Sequence, residues 1–565
     1  MLHVSTAFIR LTGGALLACA TVPLPVAAAG ILSPDLVAAM AAKPGAKQRV
    51  IVQTFNHPKS ADGLLPSRLG GRVIAVYSRF NGYVADVSSL SIRGLAARQD
   101  VKRISLDLPV AATFRKLPPG GYAGPWDDAS RSVGADAVWN APSGSTGSGV
   151  SVAVLDSGVS PNPDIRLSGF VDFVNHRAAP YDDNGHGTHV AGIAAGSGIS
   201  SGGRTGHFLG GAPDAGVVGV KILDANAAGL TSTVIEGIDW CIANRDAYRI
   251  GVINLSLGHQ IRESAKTDPL CQACERAVAA GIVVVAAAGN YGAGYGGITC
   301  PANDPNVISV GAMKTSGTSF RSDDTLTTYT SRGPTAIDYF AKPDILAPGN
   351  RVVSVRAAGS SLDAKFPGNR VAPWVYGGSP ALGANYFVLS GTSMAAPVVS
   401  AAAALIISQR PGITPNAIKV ALMVTAQPMG GFDPVLGANV PRYDAMTQGA
   451  GYLNVPGAAR VASTLQDVSA TGSAVTVPSD WGQTQIQGES VLWGNSVLWG
   501  NCFLDAGDYA GFLKIGWDRS VLWGDNYVWD IAGQPIDNAV SSTSVLWGNY
   551  PVKKMEATTV LTCGE

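Results

Sequence analysis

The chain has 565 residues, more than one hydrophobic core usually organises, so we expect several domains. Its 40 basic and 40 acidic residues cancel, which argues against binding to nucleic acid or to an anionic surface through charge. Only 14% of the residues are charged and 46% are hydrophobic, which excludes disorder as the dominant state.

The N-terminus has the pattern of an export signal. Arg10 supplies a positive charge, residues 11–26 are largely apolar, and residues 27–29 are three alanines typical of a cleavage site. A membrane anchor is one alternative, but glycines and prolines interrupt an apolar run that is short for a span. Lipidation at Cys19 is a second alternative. We predict a signal peptide at 1–29, export of the protein, and no later segment apolar enough to span a membrane.

The cysteine content is typical of an oxidising compartment. Seven cysteines are present, and six remain after Cys19 is assigned to the signal. Cys271 and Cys274 form a CxxC pair, which suggests a redox or zinc site, but no second CxxC or histidine pair completes a zinc site. We therefore predict structural disulfides whose pairing the sequence does not decide. The six cysteines are Cys241, Cys271, Cys274, Cys300, Cys502 and Cys563.

Residues 48–110 have the pattern of a small α+β unit. The sequence predicts strands at 49–54, 72–77 and 101–106 and a short helix at 90–98. A segment rich in proline and glycine follows at 117–125, as at a domain boundary.

From about residue 149, short apolar runs alternate with helical stretches. The runs are rich in β-branched residues, and the alternation predicts a parallel sheet with right-handed crossovers and helices on both faces. Such sheets bind ligands at the carboxyl ends of their strands, where Asp156, Ser256 and Asn290 lie. The runs are 150–155, 217–223, 252–257, 282–288 and 307–310, with helices at 232–244 and 270–280.

Three polar clusters stand in glycine-rich surroundings. Asp156 ends an apolar strand, where a carboxylate costs several kcal/mol unless it is paired or hydrogen-bonded; a turn or cap residue is the alternative. His186 and His189 open a small-residue helix. Zinc is the competing interpretation, but Gly187 occupies the glutamate position of His-Glu-x-x-His. Ser393 lies at a helix N-terminus, where a simple N-cap is the alternative.

Together these segments resemble the subtilisin-like (S8) serine peptidases. Residues 156–158, 186–189 and 391–397 match the three signature motifs of that family, in its order of Asp, His and Ser. The resemblance implies an α/β fold with a parallel sheet of about seven strands flanked by helices. It places a peptidase domain at 116–465.

The resemblance also implies a role for each catalytic residue. Ser393 attacks the peptide carbonyl, His186 accepts its proton, and Asp156 orients the imidazole. Asn290 donates to the oxyanion of the tetrahedral intermediate. The implied substrate-binding residues lie on two facing segments, namely Ser256, Leu257 and Gly258 on one side and Ala287, Ala288 and Gly289 on the other. His259 replaces the glycine that usually follows in the family, which leaves the subsite preference open.

Residues 30–115 resemble the inhibitory propeptide of the family. The resemblance implies that this domain assists folding and blocks the cleft until Ser393 cuts the chain somewhere within 108–127. No cofactor is needed for the expected catalysis. Relatives often bind calcium, and Asp164 lies where one carboxylate ligand would, but the loop at 196–210 carries few oxygen ligands. A structural calcium ion is left as an alternative, and the identity of any metal as unknown.

The C-terminal part, 466–565, repeats the sequence Ser-Val-Leu-Trp-Gly from residues 490, 496, 520 and 544. Valine and tryptophan two residues apart share one face of a strand, so we expect a small β-rich module that packs its tryptophans as a core. The alternative is a set of exposed tryptophans that bind glycan or cell wall and hold the protein at the cell surface.

We therefore expect a secreted, monomeric serine endopeptidase that acts on proteins and peptides from neutral to alkaline pH, because His186 must be neutral to act. Its own propeptide is the expected inhibitor. Two alternatives remain. One is a catalytically silent surface protein that binds through its repeats, and the other is a zinc hydrolase that uses His186 and His189.

Overall fold

The structure is a computed structural model of the chain. It describes residues 31–58, 71–77, 79–112, 114, 129–142, 144–203, 206–318, 321–378, 381, 383–427, 429–433, 438–441 and 443–464, and six short strands beyond these. The predicted signal peptide at 1–29 and most of 466–565 lie outside the described residues.

The N-terminal unit is a five-stranded sheet with two helices and a core of its own. The strands lie in the order β1-β5-β2-β4-β3, and only β1 and β5 are parallel. Leu36, Val50, Tyr83 and Ile92 are buried in its core. The elements are β1 (Ile31–Leu32), α1 (Pro34–Ala42), β2 (Lys47–Thr54), β3 (Arg72–Val76), β4 (Gly82–Ser88), α2 (Ser89–Ala96) and β5 (Val101–Leu106).

The next strand, β6 (Pro109–Ala112), is not part of the N-terminal sheet and pairs with strands from the following region. It lies in a separate four-stranded sheet in the order β10-β6-β12-β14. The strands of the following region are β7 (Ser151–Asp156), β8 (Leu167–Asp172), β9 (Gly216–Lys221), β10 (Ala228–Leu230), β11 (Ile250–Leu255), β12 (Leu257–Gln260), β13 (Val283–Ala287), β14 (Thr299–Cys300), β15 (Ile308–Lys314), β16 (Thr325–Leu326), β17 (Ile345–Pro348), β18 (Val352–Val355), β19 (Arg370–Val371), β20 (Tyr386–Leu389), β21 (Gly430–Asp433) and β22 (Ala438–Pro441).

The centre of this region is an eight-stranded sheet in the order β16-β15-β13-β11-β7-β9-β8, with β17 paired to β15. All pairings are parallel except that of β16 with β15. Successive residues of β7 enter opposite cores, since Val152 and Val154 belong to one hydrophobic cluster and Ala153 and Leu155 to the other. The sheet is therefore buried on both faces, which agrees with the predicted α/β architecture.

Helices cover both faces of the sheet. They are α3 (Ala129–Ser132), α4 (Ala135–Trp139), α5 (His186–Ala195), α6 (Thr231–Ala243), α7 (Arg245–Tyr248), α8 (Pro269–Ala279), α9 (Ser361–Lys365), α10 (Thr392–Gln409), α11 (Pro415–Val424), α12 (Ala445–Gln448) and α13 (Val455–Thr464). The six strands beyond them are β23 (Val475–Val477), β24 (Thr484–Gln487), β25 (Ser490–Trp493), β26 (Val497–Trp499), β27 (Cys502–Phe503) and β28 (Thr562–Cys563).

One sequence expectation is wrong for α10. This helix is long and apolar enough to cross a membrane by length and composition, whereas we expected no such segment after the signal. Within the structure, 83% of it is buried. Its alanines and valines pack against the central sheet, so its composition is that of a core helix.

The predicted disulfides do not appear among the described cysteines. Cys241, Cys271, Cys274 and Cys300 are all buried free thiols in the structure. The backbones of Cys502 and Cys563 lie directly opposite each other where β27 pairs with β28.

Candidate active site

Asp156 and His186 meet at the carboxyl end of the central strand β7. Asp156 is the last residue of that strand, and His186 is the first residue of α5. Both side chains are fully buried. His186 Nδ1 lies 2.8 and 2.9 Å from the two carboxylate oxygens of Asp156. Because a carboxylate only accepts hydrogen bonds, Nδ1 carries the proton and Nε2 is the basic atom of the ring.

Two glycines beside His186 allow α5 to start against the loop that follows Asp156. Gly185 has a φ of 101°, a left-handed conformation that side chains disfavour. A Cβ at Gly187 would lie 2.2 Å from the carbonyl oxygen of Gly158. A glutamate could not fit at residue 187. Close packing therefore requires glycine at the position where the metalloprotease motif has glutamate.

Asp182 holds the start of α5 and was not anticipated from the sequence. It is buried, and one carboxylate oxygen accepts hydrogen bonds from Gly185 N at 2.7 Å and Ser157 Oγ at 2.9 Å. The other oxygen accepts from Thr188 N and Thr188 Oγ1 at 2.8 and 2.7 Å. Burial raises the pKa of this carboxyl, while these donors oppose the shift. The network ties the loop after Asp156 to the helix that carries His186.

Ser393 lies in the first turn of α10, close to Ser256 on the edge of the site. Its Oγ donates to the carbonyl oxygen of Ser256 at 2.9 Å, and Ser256 Oγ donates to the carbonyl oxygen of Ser393 at 2.8 Å. His186 Nε2 is buried and has no hydrogen-bond partner among the described residues. Ser393 is therefore not hydrogen-bonded to the base in this structure. A rotation of its side chain is needed before proton transfer.

Asn290 is oriented by the residue that precedes Ser393. Its Oδ1 accepts hydrogen bonds from Thr392 N at 3.0 Å and Thr392 Oγ1 at 3.1 Å. The same hydroxyl accepts from Gly289 N at 3.2 Å. With Oδ1 occupied, the Nδ2 group is the donor on the opposite side of the amide, which is the chemistry an oxyanion donor requires.

The predicted substrate-binding residues lie on two segments. Leu257 and Gly258 belong to β12, directly after Ser256, whereas Ala287 ends β13 and continues into Ala288 and Gly289. Below Ser256, Asn254 Nδ2 donates to Ser256 Oγ at 2.9 Å, and Ser400 Oγ donates to Asn254 Oδ1 at 2.8 Å. This buried chain of hydrogen bonds, which the sequence did not indicate, connects the segment 256–258 to α10. We call this segment, with the strand β12 that continues it, the substrate edge.

Strand β6 lies along that edge. Ala111 pairs with Gly258 and Ala112 with Leu257, both antiparallel, and on the other side β6 pairs with β10. Ala112 N donates to the carbonyl oxygen of Ala227 at 3.0 Å. Two residues further on, the ring of Phe114 lies 5.8 Å from that of His186. The strand that follows the N-terminal unit thus ends close to His186.

His189 has a different environment from His186. Its Nε2 donates to the carbonyl oxygen of Phe387 at 3.0 Å. Burial, with a further contribution from His186, lowers the pKa of His189 to about 3. The ring is thus a neutral, buried donor, which is typical of a histidine with a structural role.

Asp164, the carboxyl considered as a calcium ligand, is hydrogen-bonded within the protein. This carboxyl is buried and accepts hydrogen bonds from Ser200 N, at 2.7 Å, and from the Tyr386 hydroxyl. Each oxygen of Asp164 therefore already accepts a hydrogen bond from within the protein.

Comparisons with known proteins cover the segment that carries these residues. The subtilase family profile matches residues 147–454. The serine protease AprX of Bacillus subtilis is 43% identical over 281 residues, 48% of this chain and 60% of the relative. Subtilisin E of the same species is 33% identical over 368 residues, 64% of this chain and 80% of the relative. A thermostable alkaline protease of Halalkalibacterium halodurans is 34% identical over 284 residues, 50% of this chain and 64% of the relative.

Proposed function

The chain belongs to the subtilase family, and on this basis we propose that it is an exported serine endopeptidase synthesised as an inhibited precursor. Membership was predicted by the three motifs, and it establishes the subtilisin-like class of serine endopeptidase. The observation that carries the proposal for this chain is the buried pair of Asp156 and His186, which leaves Nε2 of the ring as a base.

In the proposed reaction the Ser393 side chain turns from the Ser256 carbonyl oxygen toward His186 Nε2. His186 accepts the Oγ proton while Oγ attacks the peptide carbonyl, and it then returns the proton to the leaving amine. Asp156 keeps the ring in the required tautomer and stabilises the imidazolium. Asn290 Nδ2 and the backbone N–H of Ser393 bind the oxyanion, which forms only in the transition state and the tetrahedral intermediate.

We expect a peptide substrate to bind as an extended strand between β10 and β12. The pairing of β6 with both strands supports this binding mode, because backbone hydrogen bonds hold the chain whatever its side chains are. The small residues from Ala287 to Gly289 favour an open pocket that accepts large apolar side chains. Broad specificity for proteins and peptides follows from this arrangement.

Residues 30–115 are the proposed inhibitory domain, with β6 as the inhibitory segment. The register of β6 supports a cut between Ala112 and Phe114. Ala112 pairs with Leu257, and the preceding residue, Ser256, has the carbonyl oxygen that Ser393 Oγ contacts. N-terminal sequencing of the mature protein should give residue 113 or 114 as the first residue. A mature N-terminus at residue 115 or beyond would contradict self-cleavage at this site.

Covalent labelling with a fluorophosphonate tests the proposed activity. The mature wild-type protein should be labelled, and Ser393→Ala should remain unlabelled and unprocessed. Ser408→Ala is a matched control, because Ser408 lies at the far end of the same helix and donates to the carbonyl oxygen of Ser148. An unlabelled mature wild type would support the silent surface protein instead. Chelator-sensitive activity that survives Ser393→Ala would support the zinc hydrolase. The hydrogen bond from His189 Nε2 to the carbonyl oxygen of Phe387 disfavours that alternative, because it occupies one nitrogen of the ring.

Export and the role of the C-terminal module are proposals from the sequence. The apolar N-terminal segment supports secretion, and the repeats support either a packed β module or attachment to the cell surface. A disulfide between Cys502 and Cys563 is supported by their backbone register. We propose a monomer that needs no cofactor for the chemical step. Mass spectrometry of the secreted protein would show both processing sites and whether the module is retained.

A further inference from the structure

Three buried side chains that can bind metal lie together beside the substrate edge, away from the catalytic residues. His259 is on β12, Asp268 precedes α8, and Cys300 is on β14. Where β12 pairs with β14, His259 stands opposite Cys300. One ligand atom from each residue lies within 4.8 Å of those of the other two. Among the described residues, this is the only such cluster of histidine, cysteine and acidic side chains.

His259 is oriented as a metal-binding histidine is. Its Nδ1 lies 2.8 Å from the carbonyl oxygen of Gln260, which only accepts, so the proton is on Nδ1. The lone pair is then on Nε2, which is buried and has no hydrogen-bond partner among the described residues. The side chain is only 7% exposed. A ligating histidine usually donates its other nitrogen to a carbonyl or carboxylate in this way.

Asp268 and Cys300 supply the charge that a divalent cation needs. Asp268 Oδ1 caps α8 by accepting from Leu270 N at 2.8 Å and Cys271 N at 3.3 Å. The carboxylate of Asp268 and the thiolate of Cys300 together neutralise the two positive charges of the ion, and a second thiolate would leave the buried site with one net negative charge. When the ion binds, the Sγ–H bonds of Cys300 and Cys271 break, both protons leave to solvent, and a bond forms from each Sγ to the metal.

Cys271 is placed to become a fourth ligand. Its Sγ lies 3.7 Å from Cys300 Sγ. Two thiolates bound at about 2.3 Å to a tetrahedral zinc ion are separated by about 3.8 Å. A disulfide would instead need the sulfurs at about 2.05 Å. The observed spacing therefore corresponds to a shared ion more closely than to a bond.

We propose that His259, Asp268 and Cys300 form a structural zinc site, with Cys271 as the fourth ligand. The ligands are nitrogen, oxygen and sulfur donors, a combination that suits Zn²⁺ rather than Ca²⁺ or Mg²⁺. The ion would join β12 and β14 to the start of α8. Because β12 also carries Leu257 and Gly258, the site would hold the substrate edge in place without touching the substrate. The inference does not depend on the peptidase activity.

Metal content and cobalt spectroscopy test this proposal on the full chain. Protein exposed to Zn²⁺ and then dialysed should retain one ion per chain, and Co²⁺ should give a thiolate-to-metal charge-transfer band. His259→Ala and Cys300→Ala should abolish both signals. Asp268→Asn retains the helix cap and should weaken zinc binding at least about 10-fold, so it remains informative if the other variants fold poorly. Cys274→Ala is the matched control, a buried cysteine on the same helix outside the cluster.

Three results would overturn the proposal. The first is a wild-type protein that takes up no zinc and gives no cobalt band. The second is zinc retained equally by wild type, His259→Ala and Asp268→Asn. The third is a peptide map that finds Cys300 of the secreted protein in a disulfide, since the thiolate would then be absent.

Discussion

At the scale of single residues, Asn290 is held in position before any substrate binds. Its Oδ1 accepts two hydrogen bonds from Thr392, the neighbour of the nucleophile. The amide therefore has little freedom to turn, and its Nδ2 donor needs no reorganisation when charge develops on the substrate oxygen. Such preorganised donors stabilise the transition state more than the bound substrate.

Replacing Asn290 by alanine should lower kcat about 10²- to 10³-fold and leave KM almost unchanged. The same loss should slow self-cleavage of the precursor, which can be followed by gel electrophoresis of the expressed chain. Asn244→Ala, at the end of α6, is the control and should process at the wild-type rate. Equal processing rates for Asn290→Ala and wild type would remove Asn290 from the catalytic group.

His189 should make the protein less stable in acid. Burial lowers its pKa to about 3 in the folded state, against 6.5 in the unfolded chain. Between these values the unfolded chain binds more protons, so the free energy of unfolding falls as pH falls from about 6.5 toward 3. The slope from this group is at most about 1.4 kcal/mol per pH unit.

Urea unfolding of the Ser393→Ala protein at several pH values measures this contribution. His189→Gln can still donate a hydrogen bond but does not titrate, so its stability should depend less steeply on pH in the same range. Glu263 and Asp304 have raised pKa values, of about 7 and about 8, mainly through burial, and act in the opposite direction. The comparison of the two proteins cancels their effect. Identical slopes would show that His189 is not the group responsible.

Local sequence identified the proposed catalytic residues more readily than the residues that support them. Asp156, His186 and Ser393 stand in short motifs that differ from ordinary packing sequences. Asp182 and Asn254 stand in no such motif. Asp182 accepts a hydrogen bond from Thr188, and Asn254 is hydrogen-bonded to Ser256 and Ser400. These contacts are recognised only in the folded chain. Of the proposed zinc ligands, only Cys271 was noticed as a possible zinc residue, through its CxxC spacing with Cys274. His259, Asp268 and Cys300 have no such spacing and come together only in the folded chain.

At the scale of elements, the substrate edge depends on β6, β10 and β12, which are only three or four residues long. The sequences of β6 and β10 are too short for a recognisable alternation, so these two were not predicted as strands. The segment 256–258, which leads into β12, was expected only from the family resemblance, as a strand that pairs with the substrate backbone. The long apolar strands of the central sheet were predicted close to their observed bounds because burial on both faces gives continuous runs. The pairing of β6 could be seen only in the folded chain.

Removing one backbone donor from β6 should weaken inhibition by the N-terminal unit. Ala112 N donates to Ala227 O at 3.0 Å, and Ala112→Pro deletes that hydrogen bond and leaves an acceptor unpaired. Added as a separate fragment of residues 31–113, the variant should inhibit the mature peptidase about 10-fold more weakly. Ala112→Gly keeps the N–H and should inhibit nearly as well as wild type. Equal weakening by both variants would show that the Ala112 N–H is not what holds the inhibitory segment.

At the scale of the whole molecule, the N-terminal unit docks through buried polar contacts as well as through β6. Arg103 Nε donates to Glu263 Oε2 at 2.6 Å, and Gln53 Nε2 donates to the Thr267 carbonyl oxygen at 3.0 Å. Asp107 accepts from Ser232 N and Oγ, at 2.8 and 2.7 Å, at the start of α6. The unit has its own hydrophobic core, so it can leave as a folded body once the connecting chain is cut.

The pair of Arg103 and Glu263 makes this docking sensitive to pH. Both side chains are largely buried, and burial, followed by the charge of Asp268, raises the pKa of Glu263 to about 7. Glu263 therefore binds its proton more tightly while the N-terminal unit is docked. When the unit leaves, water reaches the carboxyl and the proton is released more readily. Affinity for the N-terminal unit should fall as pH rises toward and through about 7, so alkaline conditions favour activation.

Arg103→Ala should make the affinity for the N-terminal unit depend more strongly on pH, because it leaves the Glu263 carboxylate buried without its cation. Truncating one partner of a buried pair costs about 2–5 kcal/mol, so the fragment carrying Arg103→Ala should inhibit at least about 30-fold more weakly at pH 8. Below pH 7 the deficit should shrink as Glu263 becomes neutral. Arg49→Ala is the control, since Arg49 pairs with Asp86 inside the same unit. The inhibition constants of the wild-type and Arg103→Ala fragments, measured from pH 6 to 9, test this prediction. If the two constants differ by the same factor at every pH, Arg103 acts through packing rather than through the charge of Glu263.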